Sequence, residues 1–380
     1  MADLFAGPQW ERRGGAEFGS GRPFSLMSAA HLIQVVGMHR SGTSAVTRVV
    51  NLLGASLGSH LMPSHPRDNP RGYWEHESVY QIHENLLSKL GRTWDDVRAL
   101  PTGWLEQPAS ETARVELTDV LREDSAPLMA VKDPRMCLFA PLWQEVTDRL
   151  GYLVSTVVIV RHPALVMRSL QRRGRFPAVL SLLLWVRHTL GAVDAAEGGP
   201  RIVLSFEQVR QNPEQAVKLL QDFEVPWPDR GYRRRMEAAS SVDSGTSNQT
   251  EDLRSPDGAE IDAGLWSAAV RLYEELAQRH GSQDLNLTPE RELAEERMRP
   301  YEEAADQLSF LVDSEHLQRW RAVQLGQTVE RLQGQLFNQR QEMAILKASD
   351  RRLRAVEASR SYKVLRRLQR LRNEWLRADR

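Results

Sequence analysis

A short apolar strand runs directly into a glycine-containing loop and then into an amphipathic helix near the start of the chain. The run is Leu32-Ile-Gln-Val-Val36, the loop is Gly37-Met-His-Arg-Ser-Gly42, and Thr43–Leu53 carries apolar side chains at helical spacing. Glycines in such a loop let the backbone approach a phosphate, and the helix start offers free amides and the positive end of its dipole. The segment therefore predicts an anion site between the first strand and the first helix.

The loop differs at one position from that of a protein that binds nucleoside triphosphates. A lysine directly after the second glycine would reach the β and γ phosphates, but this chain has Thr43 there. The nearest cation is Arg40, inside the loop. The site therefore suits a single phosphate-plus-sulfate unit better than a metal-bridged triphosphate. The residues that we expect to contact this anion are Gly37, His39, Arg40, Ser41, Gly42, Thr43 and Ser44.

Apolar runs that alternate with helical patterns continue along the chain. They lie at Leu128–Val131, Leu153–Val160 and Arg201–Leu204. Strands that are apolar along their whole length are typical of a parallel sheet covered on both faces. We therefore predict the α/β class, with a parallel sheet flanked by helices.

Composition and periodicity divide the chain into three regions. Residues 1–30 are rich in glycine, arginine and small side chains and predict a flexible arm. Residues 31–288 are predicted to form the α/β domain, and residues 289–380 a long-helix or coiled-coil extension. An amphipathic helix that folds back on the domain is the alternative for the extension. The heptad seam that favours a coiled coil consists of Leu325, Val329, Leu332, Leu336, Met343, Leu346 and Leu353.

Charge balance and cysteine content narrow the classes of function. Lysine plus arginine number 50, as do aspartate plus glutamate, so no global field favours binding to nucleic acid. Cys137 is the single cysteine, which excludes an intramolecular disulfide and indicates a reducing compartment. No run approaches the roughly 20 apolar residues of a membrane span. We expect a cytoplasmic protein whose membrane contact is peripheral, at the inner face.

A second segment carries an arginine where a strand ends. The apolar strand Val157–Val160 leads into Arg161-His-Pro163, and Ser169 follows in the next predicted helix. An arginine at the carboxyl end of a parallel strand lies in the crevice where such sheets bind ligands, and its planar fork suits a phosphate. This segment and Arg40-Ser-Gly-Thr-Ser44 together resemble the signatures of sulfotransferases that use 3′-phosphoadenosine 5′-phosphosulfate (PAPS).

The resemblance covers roughly His31–Leu220 and is closest to bacterial, carbohydrate-type members. Two further elements, Asn69-Pro-Arg-Gly-Tyr-Trp-Glu75 and Lys132-Asp-Pro-Arg135, are similar to segments of those enzymes. The resemblance implies the sulfotransferase variant of the P-loop NTPase-like fold, with PAPS as the donor and no metal. It also implies a sugar hydroxyl of a cell-surface or secreted glycan as the acceptor.

The same resemblance assigns roles to individual side chains. Arg40 is expected at the oxygen that bridges phosphate and sulfur, and Arg161 and Ser169 at the 3′-phosphate. Lys132 would add charge at the sulfuryl oxygens, although a strand-end lysine paired with its neighbour Asp133 is an equally simple interpretation. Glu75 is our preferred catalytic base. The alternatives that the sequence leaves open for the base are His65, His76 and Glu77.

Two features depart from the family pattern. Phe206, in Ser205-Phe206-Glu207, stands where the family has a tyrosine, so a hydroxyl contact is missing at that point. The late basic donor loop has no clear counterpart, and Arg233-Arg-Arg235 is the nearest substitute.

Two other functions compete with this one. A P-loop kinase would need a cation after Gly42 and a magnesium-binding aspartate at a strand end, a role that Asp133 could fill. A non-catalytic scaffold would use the coiled coil and carry an inactive α/β domain.

The final segment, 351–380, has eleven basic and three acidic residues. Leu365, Leu368, Leu371 and Trp375 recur within it at helical spacing. This pattern predicts a basic amphipathic helix that docks on anionic membrane or on an assembly complex there. A solvated helix that caps a coiled-coil homo-oligomer is the alternative.

Overall fold

The computed structural model describes residues 30–64, 69, 71–174, 176–228, 231–243, 253–254 and 261–308. The predicted N-terminal arm (except Ala30), the heptad seam and the basic amphipathic segment lie outside these residues. The chain divides into two units, Met1–Ala304 and Ala305–Arg380. The strands and functional side chains presented below all belong to the first unit.

Within the described residues, four strands form one parallel sheet. They are β1 (His31–Val36), β2 (Leu128–Lys132), β3 (Leu153–Val160) and β4 (Arg201–Ser205), in the spatial order β2-β1-β3-β4. Because the strands are parallel, their carboxyl ends lie along one edge, where open α/β sheets bind ligands. The predicted α/β class with a parallel sheet flanked by helices is confirmed.

Helices connect the strands and cover both faces of the sheet. None of those in the described part is long and apolar enough to cross a membrane. Their bounds are α1 (Thr43–Leu53), α2 (Glu77–Lys89), α3 (Pro108–Glu123), α4 (Ala140–Leu150), α5 (Pro163–Gly174), α6 (Ala178–Asp194), α7 (Phe206–Gln211), α8 (Pro213–Asp222), α9 (Gly231–Asp243), α10 (Ala263–Gln278) and α11 (Thr288–Gln307).

The central strand β1 is buried on both faces, and all of its residues are buried. Ile33 and Val35 belong to a core shared with α1, α8 and α9. Leu32 and Val36 belong to the opposite core, which α2, α3, α4, α5, α6, α10 and α11 complete. Since each fully buried aliphatic side chain contributes about 1.5–3 kcal/mol, both faces stabilise the sheet. This two-sided burial explains why the strands are continuous apolar runs.

Helix α6 passes very close to the 3-10 turn Pro134–Leu138, which follows β2. A Cβ added to Gly191 would overlap the backbone carbonyl of Cys137, so only glycine fits there. Cys137 itself is buried, and burial raises the pKa of its thiol to about 12. The turn that follows Lys132 is therefore fixed by packing against α6, and the thiol stays protonated.

Candidate anion-binding and active site

The glycine-containing loop follows β1 at the carboxyl edge of the sheet, between the ends of β2 and β3. Both glycines have positive φ angles, 151° at Gly37 and 90° at Gly42. A Cβ at Gly37 would overlap the Ile159 carbonyl, and one at Gly42 would overlap the Phe206 ring. The glycine spacing in the sequence therefore reflects two close approaches of the loop, to β3 and to the start of α7.

The start of α1 leaves backbone amides available for an anion. The Gly42 carbonyl accepts hydrogen bonds from the amides of Ala45 (3.1 Å) and Val46 (3.2 Å), so the helix begins at Thr43. The first turn holds no acidic side chain, and no side chain caps it. The Thr43 and Ser44 amides precede the first intrahelical bonds and lie at the positive end of the helix dipole.

Three of the predicted donor-binding residues come together beside this loop. The Arg40 side chain donates from Nε to Ser169 Oγ (2.8 Å), and Arg161 donates from Nη1 to the Arg40 carbonyl oxygen (3.1 Å). Arg40 belongs to the loop, Arg161 follows β3, and Ser169 lies in α5. The fold thus brings two guanidinium groups and a hydroxyl to one place. Arg40 has a φ of 69°, a left-handed conformation that few non-glycine residues adopt.

His39 and Ser41, also predicted to contact the anion, are buried in the loop. The His39 ring lies 4.3 Å from the Trp94 ring, measured between centroids. Burial, reinforced by the nearby Arg135, holds the pKa of His39 well below its usual value. The imidazole is therefore neutral and supplies packing rather than positive charge.

Lys132 and Glu75 form a buried ion pair on the other side of the loop. The Lys132 ammonium contacts the Glu75 carboxylate and donates to Ser44 Oγ (3.1 Å) and to the Tyr73 carbonyl (3.3 Å). The lysine is thus paired with Glu75, not with its sequence neighbour Asp133. Burial raises the pKa of Glu75, and the attraction of Lys132 only partly offsets that rise. A carboxylate with a raised pKa is a better proton acceptor near neutral pH.

Asp133 belongs to a separate buried network that it forms with Arg135 and His83. Its carboxylate accepts from the Arg135 amide (2.7 Å) and from Arg135 Nη1 (3.2 Å), and His83 Nδ1 lies 3.5 Å away. Burial raises the pKa of Asp133, but Arg135 and His83 outweigh it and hold that pKa well below its usual range. Arg135 also pairs with Glu84 and lies over the ring of Tyr80.

The alternative bases occupy different positions. His76 pairs with Asp124 (2.6 Å between Nε2 and Oδ2), whose other oxygen accepts from the Ser59 amide and hydroxyl. Glu77 is exposed at the start of α2, and His65 lies outside the described residues. Among the described members of this group, Glu75 is the one that contacts Lys132.

Several side chains near the loop were missed by the sequence reasoning. Tyr80, His83 and Glu84 share one face of α2, and buried polar side chains on an amphipathic helix were the available signal. Trp74 carries the guanidinium of Arg48 over its ring, at 4.6 Å. A cavity of about 370 Å³ opens here, and its lining includes Ser44, Arg48, Asn69, Arg71, Trp74 and Ser241.

The nearest substitute for the missing basic donor loop, Arg233-Arg-Arg235, lies in α9. The side chain of Arg234 is exposed and pairs with Glu237 at 2.7 Å. Within the described ranges, no group of three or more histidine, cysteine, aspartate or glutamate side chains could hold a metal ion.

Comparison with known proteins gives little beyond this geometry. No family model and no curated protein matches the chain. Among solved structures, the chain is similar to the "Sulfotransferase Domain from the Synechococcus PCC 7002 Olefin Synthase", with 15% identity and a TM-score of 0.35. The match covers 72% of this chain and 96% of that one. The interpretation of the site therefore depends on its own residues.

Proposed function

We propose that the protein is a sulfotransferase, which transfers a sulfuryl group from PAPS to a hydroxyl acceptor. The observation that carries this proposal is the contact set Arg40, Ser169 and Arg161 beside the start of α1. A buried acid–base pair, Lys132 and Glu75, contacts the start of α1 through Ser44. Two anion-binding arginines and a separate carboxylate suit a doubly phosphorylated donor and an acceptor hydroxyl.

The donor has two anionic groups, and the site has two sets of ligands. Arg161 and Ser169 would hold the 3′-phosphate, because a guanidinium can grip a phosphate with two parallel hydrogen bonds. The amides at Gly42–Ser44 and the hydroxyls of Thr43 and Ser44 would hold the 5′-phosphate. Arg40, which contacts both Ser169 and Arg161, would lie at the bridging oxygen.

In the reaction, the acceptor oxygen forms a bond to sulfur while Glu75 takes the hydroxyl proton. The bond between sulfur and the bridging oxygen breaks, and its electron pair stays on that oxygen. Arg40 would stabilise this new charge. As Glu75 becomes neutral, its attraction for Lys132 falls, and the ammonium becomes available to the sulfuryl oxygens. The ion pair thus couples proton removal to charge stabilisation. For the acceptor we propose a sugar hydroxyl of a surface or secreted glycan.

The competing functions fit the site less well. A kinase would need a cation after Gly42, where Thr43 stands, and a free aspartate, whereas Asp133 is bound to Arg135. A scaffold would have no use for a buried lysine–glutamate pair, since such pairs contribute little to stability compared with apolar side chains.

Nucleotide binding distinguishes the three functions. Calorimetry with the full-length protein should show that adenosine 3′,5′-bisphosphate (3′,5′-ADP), the product after transfer, binds equally well with EDTA or with magnesium. Tighter binding of ATP with magnesium would favour the kinase, and binding of neither nucleotide would favour the scaffold.

A further inference from the structure

The first residues of α7 lie beside the proposed donor site without belonging to its predicted ligand set. Strand β4 pairs with β3 so that Ser205 lies opposite Val160. The next residues along the two strands, Phe206 and Arg161, are therefore neighbours at the carboxyl edge of the sheet. This register places α7 beside the arginine proposed to hold the 3′-phosphate.

The Phe206 ring lies between the two proposed anion-binding turns. It packs against Gly42, where no Cβ would fit, and the guanidinium of Arg161 lies 5.5 Å from its centroid. One rigid ring therefore sets the separation between the glycine-containing loop and the arginine. The aromatic side chain at this position has a spacing role that needs no hydroxyl.

Glu207 fixes the backbone directly after Arg161. One carboxylate oxygen accepts from the His162 amide (3.1 Å), and the other accepts from the hydroxyls of Ser205 (3.2 Å) and Tyr273 (3.0 Å). Tyr273 belongs to α10, and its ring lies 4.8 Å from that of His162. Both carboxylate oxygens are thus engaged, and the Arg161 turn is tied to β4 and to α10.

We infer that Glu207 is a positioning residue that sets the selectivity of the donor site for a 3′-phosphate. The inference rests on the proposed function. A guanidinium forms two parallel hydrogen bonds to a phosphate only in a narrow range of orientations. Without the Glu207 carboxylate, the His162 amide loses its acceptor and the Arg161 turn can rotate. The 3′-phosphate then loses its contribution to binding, while the 5′-phosphate contacts at the start of α1 persist.

The test compares two nucleotides that differ only in the position of one phosphate. The dissociation constants of 3′,5′-ADP and of 5′-ADP are measured by calorimetry on full-length wild type, Glu207→Ala and Glu207→Gln. Glu214→Ala is the matched control, because Glu214 is an exposed glutamate of the next helix, α8. Tyr273→Phe removes one hydrogen bond to Glu207 and covers the case in which Glu207→Ala does not fold.

Wild type should prefer 3′,5′-ADP. Glu207→Ala should lower that preference about tenfold, as expected for losing hydrogen bonds that orient a charged group. Tyr273→Phe should lower it by less, and Glu207→Gln, which keeps an acceptor oxygen, should restore most of it. Equal weakening of both nucleotides in Glu207→Ala, or an unchanged preference in a folded Glu207→Ala, would overturn the inference. If Glu207→Ala does not fold, an unchanged preference in Tyr273→Phe would overturn it. A wild type without any preference would contradict the proposed function itself.

Discussion

The ammonium of Lys132 lies against the carboxylate of Glu75 while it also donates to the Ser44 hydroxyl at the start of α1. Both side chains are almost fully removed from water. A buried carboxylate, a cation and the start of α1 are thereby connected in one contact chain.

Glu75→Gln should lower turnover by about 10²- to 10⁴-fold while leaving donor binding intact. A positioned general base contributes about 10²- to 10⁴-fold to the rate, and the amide cannot take a proton. The check combines calorimetry with 3′,5′-ADP and a sulfuryl-transfer assay. Turnover near the wild-type rate would rule out Glu75 as the base and return attention to its neighbours.

The pH dependence of turnover should show the raised pKa of Glu75. Burial raises that pKa above the usual value of 4.5, and the base works only when it is deprotonated. Activity should therefore fall as the pH drops, and the midpoint of this fall should lie above pH 4.5, the usual pKa of an exposed glutamate. A profile of kcat against pH measures this limb. An acid limb whose midpoint lies at or below pH 4.5 would contradict the assignment of Glu75 as the base.

Lys132→Met should destabilise the fold, because it leaves the Glu75 carboxylate buried without its partner. Breaking a buried pair in this way costs about 3–5 kcal/mol in the free energy of unfolding. The double variant Lys132→Met, Glu75→Gln should recover most of that loss, since it removes both charges. Urea denaturation of the single and double variants measures the coupling. Additive losses would show that the two side chains do not act as a buried pair.

Gly191→Ala should lower stability through a steric clash with the Cys137 carbonyl. Overpacking typically costs about 1–3 kcal/mol, and here the clash is with backbone, which yields little. Because the turn that holds Cys137 directly follows β2, which ends at Lys132, the displacement should also reduce turnover. A melting temperature equal to that of wild type would show that α6 and the turn are less closely packed than the structure indicates.

For the C-terminal segment, we propose that the basic residues of 351–380 dock the protein on anionic membrane at the inner face. Each basic residue near such a surface contributes about 1 kcal/mol. Full-length protein should sediment with anionic liposomes at low salt, and a version that ends at Asp350 should not. If neither sediments, the segment is better explained as a cap on a coiled-coil homo-oligomer.

The sequence predicted best those features that depend on a short segment of the chain. Continuous apolar runs located the strands. Arg40 lies in the loop after β1, Arg161 directly follows β3, and Ser169 lies in the helix after Arg161, so a parallel sheet brings them to the same edge. The ion-pair partner of Lys132 could not be predicted from such short segments. Asp133 is adjacent in sequence, but the backbone directs it to Arg135, and Glu75 arrives from a separate loop.

The side-chain contacts that hold the loop around Glu75 could not be predicted from the sequence either. The loop that carries it is held by His76, whose partner Asp124 lies at the end of α3. Likewise, Glu207 meets Tyr273 from α10. Such pairs form through long-range packing, and neither periodicity nor motif spacing reports them.

Binding of PAPS to Arg161→Ala, compared with wild type in the presence of EDTA, is the most direct test of the donor site. Loss of the hydrogen bonds from the Arg161 guanidinium to the 3′-phosphate should weaken the binding of PAPS by about 2–4 kcal/mol. The companion variant Arg40→Ala should lower kcat more than donor affinity, because its charge matters most as the bridging oxygen becomes anionic. An Arg161→Ala protein that binds PAPS as tightly as wild type would contradict the proposed function.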